Sequence, residues 1–302
     1  MDLGLDIGFG EVKAVVRNGD DISDFVFPSV YAGYTSSPMD AGTGMSIVDS
    51  GGRKYVVGAD AKREKNQISP ADLGDIIEAM EVYVTYLRRL SGVDDTANVV
   101  AGVPPCYWKQ KEDYRIRLST MFGKVAVVPQ GLGAARVLLD DLSPGTRHMV
   151  LDFGYNTVDH LMVEVSEGKE GKDIIVRRGG TWKSCGVTFL TDIFRGELGD
   201  SDLKGLRFHV LKEFLRNGQA NFHGEIIDLS GAKRRAGNQY LRSLGSRIKD
   251  ELGGELDHID GIIAAGGGVY YLDVADLFKS LPVMVPENPE LANAMGQMLL
   301  AE

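Results

Sequence analysis

An α/β fold in two halves, each with a mixed sheet, is what this sequence predicts, on three observations. Strand-like apolar runs alternate with amphipathic helical stretches along the chain, the pattern of helices packed on sheets. The stretch LDIGFGEVKAVV at residues 5–16 is repeated in form by LDFGYNTVDHLMV at residues 151–163, and such self-similarity points to a duplicated architecture. Finally, 302 residues exceed the usual size of one domain, so a two-domain body is expected.

The elements follow in order. In each copy of the repeat a strand ends on an acid, a tight turn follows, and a second strand leads away, so Asp6 and Asp152 stand at equivalent hairpin turns 146 residues apart. VVRNG and DFVFPSV read as strands. Residues 28–60, rich in Gly, Ser and Pro with the short β patterns SIVDS and KYVVG, read as a small subdomain inserted in the first domain. ADLGDIIEAMEVYVTYLRRL is a long amphipathic helix, ANVVAGVP a buried strand, and a helix runs from about Trp108 to Phe122. Strands VAVVP and MVLDFG flank the helix GLGAARVLLDDL. The turn residues of SPGTRH, 143–148, mark the boundary, giving domain I over 1–145 and domain II over 146–302. Domain II continues with the strand DIIVRRGG, helices across 183–217 and 231–252 that form a helical subdomain at about 183–255, the strand GIIAAGGG entering a loop, and a final helix NPELANAMGQMLLA.

Composition narrows the function. Hydrophobic residues make up 43% and charged residues 25%, as in soluble globular proteins rather than disordered or fibrous ones. A formal net charge of −10 disfavours direct nucleic-acid binding, which needs a basic surface to release counterions; the KRR run at Lys233–Arg235 reads as a solvated helix face. Cys106 and Cys185 are far apart, with no CxxC and no histidine cluster, so neither a zinc site nor a disulfide framework is indicated. The five histidines lack HExxH spacing and there is no GxSxG elbow, which argues against a zinc hydrolase or a serine triad. With no leader-like segment and no apolar run long enough to cross a bilayer, a cytoplasmic location without membrane partners is expected.

Three glycine loops carry the chemistry. Glycine brings backbone N–H groups close to a phosphate chain because it lacks Cβ and tolerates positive φ. Gly8 and Gly10 supply such a turn, Lys13 on the outgoing strand is aimed back at it as a cation for a phosphate, and Asp6 is placed to hold Mg²⁺ through its water shell. The second copy brings Asp152, Gly154 and Thr157, and two such loops facing each other clamp a triphosphate. The third loop, AAGGGVYYL, follows a buried strand, and Gly266, Gly267 and Gly268 let an adenine or ribose approach the backbone. GxxxxGK[ST] and GxGxxG are both absent, so this is neither a P-loop nor a Rossmann site.

With these stretches in order, the whole chain resembles the actin and Hsp70 ATPase superfamily, most closely the ParM (StbA) plasmid-segregation type and its archaeal actin-like relatives. LDIGFGEVK resembles the first phosphate motif, VPQGLGAA the first connecting motif, LDFGYNTVD the second phosphate motif, IIAAGGGVYYL the adenosine motif and NPELANAMG the second connecting helix. The resemblance implies two ribonuclease-H-like lobes with a nucleotide cleft between them, holding ATP or GTP with Mg²⁺. It implies that Asp6 and Asp152 orient the metal and its waters. Phosphates would be touched by Gly8, Phe9, Gly10 and Lys13 from one lobe and by Gly154, Tyr155, Asn156 and Thr157 from the other, with Gly266–Gly268 lining the nucleoside. Gln130 takes the place next to the attacking water, and Asp159 stands where actin has a histidine and ParM-type proteins often have an acid. Phe9 replaces a serine of actin, and the chain is shorter than actin, so eukaryotic actin's own partners are not expected.

The function so implied is a filament-forming nucleotidase, its partners being further copies of itself and, through a DNA-binding adaptor, plasmid DNA indirectly. A small-molecule kinase of the same superfamily is the alternative, though no substrate-facing base is evident, and a non-polymerising actin-like ATPase is another. An Hsp70-like module is not expected because no peptide-binding domain follows residue 302. Of the remaining motifs, Val187, Leu190 and Ile193 of GVTFLTDIF read as core, Thr188 as a helix cap, and Trp108 and Trp182 as single exposed aromatics.

Overall fold

The computed structural model describes residues 1–35, 44–168, 171–199, 201–278 and 280–301; residues 36–43, part of the predicted insertion, and residue 200 of the predicted helical region lie outside them. The chain divides into two compact units, Met1–Leu139 with Leu291–Glu302, and Asp140–Glu290.

In the first unit, β1 (Asp2–Ile7), β2 (Glu11–Asn18) and β3 (Asp21–Pro28) form an antiparallel meander. A small antiparallel sheet follows, with β4 (Tyr31–Gly33), β5 (Ile47–Ser50) and β6 (Arg53–Val57) in the order β4-β6-β5. Helix α1 (Leu73–Ser91) starts where the Asp72 carboxylate accepts from the Asp75 amide and stops at Gly92 in the left-handed region. Its buried residues Leu73, Ile76, Met80, Tyr83, Val84 and Leu87 recur at helical spacing and enter the core of the larger sheet. Then come β7 (Asn98–Val103), α2 (Lys111–Ser119), β8 (Lys124–Pro129) and α3 (Leu132–Val137). The first predicted helix after β7 is thus a 3₁₀ turn over Pro105–Gln110 before α2. The larger sheet has the order β3-β2-β1-β7-β8, with β7 and β8 parallel to β1.

The second unit repeats this plan. β9 (Arg147–Phe153), β10 (Thr157–Gly168) and β11 (Gly171–Lys183) form the meander. Helices α4 (Val187–Glu197) and α5 (Phe208–Asn217), the hairpin β12 (Gln219–Phe222) and β13 (Glu225–Asp228), and the 27-residue α6 (Ser230–Leu256) follow. β14 (Gly261–Ala265) and β15 (Val283–Met284) complete a sheet ordered β11-β10-β9-β14-β15, again with the last two strands parallel to the central one. No described helix is long and apolar enough to cross a membrane.

Two features depart from the sequence reading. The hairpin β12–β13 was not predicted, because each strand has four residues and the turn rests on His223 and Gly224, both at positive φ. The last helix, α7 (Ala292–Leu299), was placed in the second domain, yet it packs on β1, β2, β7 and α3 of the first unit. Bare backbone makes this possible: a Cβ on Gly4 would overlap the Ala294 carbonyl, and one on Gly296 would overlap the Gly133 carbonyl. Val15, Ala294 and Met298 seal the contact.

Candidate functional site

In the first unit the hairpin β1–β2 carries the candidate residues. Antiparallel pairing sets Asp6 directly opposite Lys13, where side chains of facing residues meet on one face of the sheet. The turn between them closes by the Gly8 amide donating to the Glu11 carbonyl at 3.0 Å. Buried Ser29 holds it from behind: its Oγ donates to the Gly8 carbonyl at 2.6 Å and its amide to the Gly10 carbonyl at 3.1 Å. Phe9 packs edge-on against Tyr107, ring centroids 6.3 Å apart. Neither Gly8 nor Gly10 has positive φ, contrary to the expectation for this turn. Space at Gly8 is tight instead, since a Cβ would stand 3.1 Å from the Glu11 carbonyl.

Gln130, at the end of β8, donates from Nε2 to the Asp6 carboxylate at 2.6 Å, and both side chains are buried. Burial drives the Asp6 carboxyl above its ordinary range, while Lys13 and the Gln130 hydrogen bond pull it down and Glu11 pushes it up. The chain then turns at Gly131, φ +95°, whose amide donates to the side chain of Asn293, in the first turn of α7, at 2.9 Å.

The second unit holds the matching hairpin β9–β10. Asp152 faces Asp159 across the antiparallel pair, and Asp159 faces Thr181 on β11, whose hydroxyl donates to the Asp159 carboxylate. Both acids are buried. The Gly154 amide donates to the Thr157 carbonyl at 2.9 Å, the same closure as in the first unit. The entry to α4 does the anchoring here: the amides of Cys185, just before the helix, and of Val187 and Thr188 in its first turn donate to the carbonyls of Asn156, Gly154 and Tyr155 at 3.2, 3.1 and 3.0 Å. Gly186, not Thr188, occupies the N-cap, and a Cβ there would come 2.5 Å from the Tyr155 carbonyl. Behind the strand, Trp182 is buried rather than exposed, stacked on His160 at 4.4 Å and donating to Glu251 at 2.7 Å. Trp108 is half-buried, with Lys111 Nζ 4.3 Å from its ring centroid.

The triple glycine follows β14, beside β9. Gly266 has φ +85°, and a Cβ on it would overlap an Asp152 carboxylate oxygen. A Cβ on Gly268 would stand 2.6 Å from that of Phe153. Packing against β9 therefore accounts for two of the three glycines, and only Gly267 has ordinary space around it, with Glu290 Cβ at 3.8 Å. Two side chains of α5 that sequence reasoning did not single out lie near these turns: Arg216 sits 5.0 Å from the Tyr270 ring centroid, just after the triple glycine, and Lys212 sits 5.8 Å from that of Tyr155 on the β9–β10 turn. The spacing of Lys212 and Arg216, four positions apart on α5, was the pattern that could have indicated them.

The donors suit a hard cation. Among the described residues no group of three or more His, Cys, Asp or Glu converges; the candidate carboxylates come singly, as Asp6, or in the facing pair Asp152 and Asp159. One or two carboxylates with several waters is how Mg²⁺ is usually held, and buried acids of this kind favour a cation nearby.

Two family models match the chain, one described as actin-like proteins, N-terminal domain, over residues 4–133, the other as archaeal actin homologue MreB-like, C-terminal, over residues 150–275. Among solved structures, the archaeal actin homolog Ta0583 superposes with a TM-score of 0.79 at 20% identity, covering 99% of this chain and 98% of its own. Its complex with ADP gives 0.76 at the same identity and coverage. ParM in a 15-stranded filament from Clostridium botulinum gives 0.72 at 19% identity, covering 100% of this chain and 99% of its own. By sequence, no curated protein gives a significant match.

Proposed function

This chain belongs to the actin-like proteins and has their fold, and we propose that it binds ATP or GTP with Mg²⁺, hydrolyses it slowly and assembles head to tail into filaments. The observation that carries this reading is the pair of turns 146 residues apart, closed by the same hydrogen bond and each preceded by a buried acid. The ADP complex of Ta0583 and the filament of the Clostridium botulinum protein support it.

In this reading the turn residues Gly8, Phe9, Gly10 and Gly154, Tyr155, Asn156, Thr157 contact phosphates, and Lys13 adds a charge-assisted hydrogen bond. Gly266, Gly267 and Gly268 lie along the nucleoside. Asp6 and Asp152 hold the cation, which when bound neutralises phosphate charge. Gln130 and Asp159 orient the attacking water. A glutamine amide positions water but cannot take its proton, so turnover is slow and suits a timer of assembly. A heterologous contact that does not close on itself gives an open filament, and cargo, plasmid DNA in the first instance, is attached through a DNA-binding adaptor because the chain's net charge of −10 opposes direct contact.

Sedimentation and light scattering with ATP and Mg²⁺, followed by electron microscopy of the pellet, test the proposal. Filaments that form with nucleotide and disperse after hydrolysis are expected. A protein that binds nucleotide yet stays monomeric over a wide concentration range would overturn the assembly step.

A further inference from the structure

Gln297 of α7 is fully buried, and among the described residues neither the nitrogen nor the oxygen of its amide has a hydrogen-bond partner. Buried polar groups are nearly always paired, so an amide with both ends unmet calls for an explanation. Its surroundings supply one. Gly102 on β7 lies beneath it, and a Cβ there would overlap Gln297 Nε2 and stand 3.1 Å from Gln130 Cγ. The bare Cα thus leaves a gap in which the two glutamine side chains come within one side-chain length of each other. Gln130 is engaged elsewhere, donating to Asp6.

We infer that Gln297 is a positioning residue for Gln130, the second partner that receives the Gln130 amide when a ligand engages the Asp6 carboxylate. The inference rests on the nucleotide reading above. Gln130 Nε2 is held by the same carboxylate that a cation or its water would use, so ligand at Asp6 contests that bond. Without another partner the released amide would be loose among rotamers at the moment it must orient water. A primary amide can meet it at both ends, accepting from Gln130 Nε2 at Oε1 and donating from Nε2 to Gln130 Oε1, with no net charge to bury. Gly102 supplies the space, and the tight packing of α7 on Gly4 and Gly133 fixes the height of Gln297 above the sheet.

The test uses the full chain with Gln297→Met, which keeps length and volume but removes both polar atoms, and Gln297→Glu, whose buried carboxyl, when protonated, retains a donor and an acceptor. Nucleotide affinity is measured by titration calorimetry, turnover by phosphate release, and side-chain amide signals by NMR with a non-hydrolysable analogue. Gln297→Met is expected to bind nucleotide as the wild type does and to turn over about 10²-fold more slowly, Gln297→Glu to recover most of the rate, and the Gln130 and Gln297 amide signals to move together when the analogue binds the wild type. Full turnover in Gln297→Met, or a Gln297 signal that the analogue leaves unmoved, overturns the inference; the second readout decides even if the methionine variant does not fold. A wild type that binds no nucleotide brings down the nucleotide reading and this inference with it.

Discussion

The two hairpins share a backbone turn and a buried acid, and differ in what anchors the turn and what faces the acid. Gly8 and Gly154 make the same turn-closing hydrogen bond, at 3.0 and 2.9 Å, and the carbonyls of residues 8 and 10 are anchored as are those of 154 and 156. The anchors are unlike: a single serine, Ser29, serves the first turn, whereas backbone amides at and just before the start of α4 serve the second. The residues facing the acids are unlike too, Lys13 opposite Asp6 but Asp159 opposite Asp152. A duplicated frame has thus been given opposite electrostatics, a cation beside one acid and a doubled acid in the other unit. The first arrangement suits a phosphate and the second a cation and its waters.

The largest effect is expected where the second hairpin has least room. Gly266→Ala places a Cβ against Asp152 and the Phe153 carbonyl at φ +85°, and overpacking with left-handed strain should lower stability by about 3 kcal/mol or more, read as a shift of the urea midpoint. Next, Asp159→Ala leaves Asp152 without its facing acid; turnover should fall about 10²-fold while the melting temperature changes little, since the Thr181 hydroxyl it leaves can turn to water. Equal turnover would mean that the doubled acid has no part in hydrolysis. Lys13→Ala should cost about 1–3 kcal/mol of nucleotide binding through one lost charge-assisted hydrogen bond, and unchanged affinity by calorimetry would remove the first turn from the phosphate site.

How much of this was legible in the sequence follows from distance along the chain. Asp6, Gly8, Lys13 and their counterparts lie within one hairpin each, so alternation and turn chemistry placed them, and α1 declared itself by its apolar stripe from Leu73 to Leu87. The supports of the site are non-local. Ser29 is 21 residues from Gly8, Gln130 is 124 from Asp6, and Asn293 is 162 from Gly131; no local pattern connects such pairs. The return of α7 to the first unit is written in Gly4, Gly133 and Gly296, but a glycine in sequence does not say what it makes room for. For that reason the triple glycine was read as an approach for ligand, when Gly266 and Gly268 are also demanded by β9.

A smaller effect probes the anchors. Ser29→Ala removes the hydrogen bond to the Gly8 carbonyl but keeps the backbone bond to Gly10, and should cost about 1 kcal/mol of stability. Backbone amides of residues 185, 187 and 188 hold the second turn, so hydrogen exchange in Ser29→Ala should quicken around residues 8–11 and stay unchanged around 154–157. Equal loosening of both turns would show that the hairpins are not independently supported.

The smallest effect lies on the opposite faces of the two outgoing strands, where the counterpart of buried Ala14 is His160, stacked on Trp182. Desolvation holds the His160 pKa below its ordinary value of 6.5, with Arg178 acting the same way and Glu251 and Glu255 opposing. The imidazole is therefore neutral in the fold and takes up a proton more readily in the unfolded chain, so stability falls as pH drops below about 6.5 toward the lower folded-state value. His148, also buried and shifted down by desolvation, contributes in the same direction, and both belong to the second unit. His160→Phe keeps the stack on Trp182 and cannot titrate; the slope of melting temperature against pH between about 7 and 5 should become shallower without vanishing. A slope identical to wild type would mean that His160 finds a partner for its proton inside the fold, and that the acid sensitivity of the second unit resides in His148 alone.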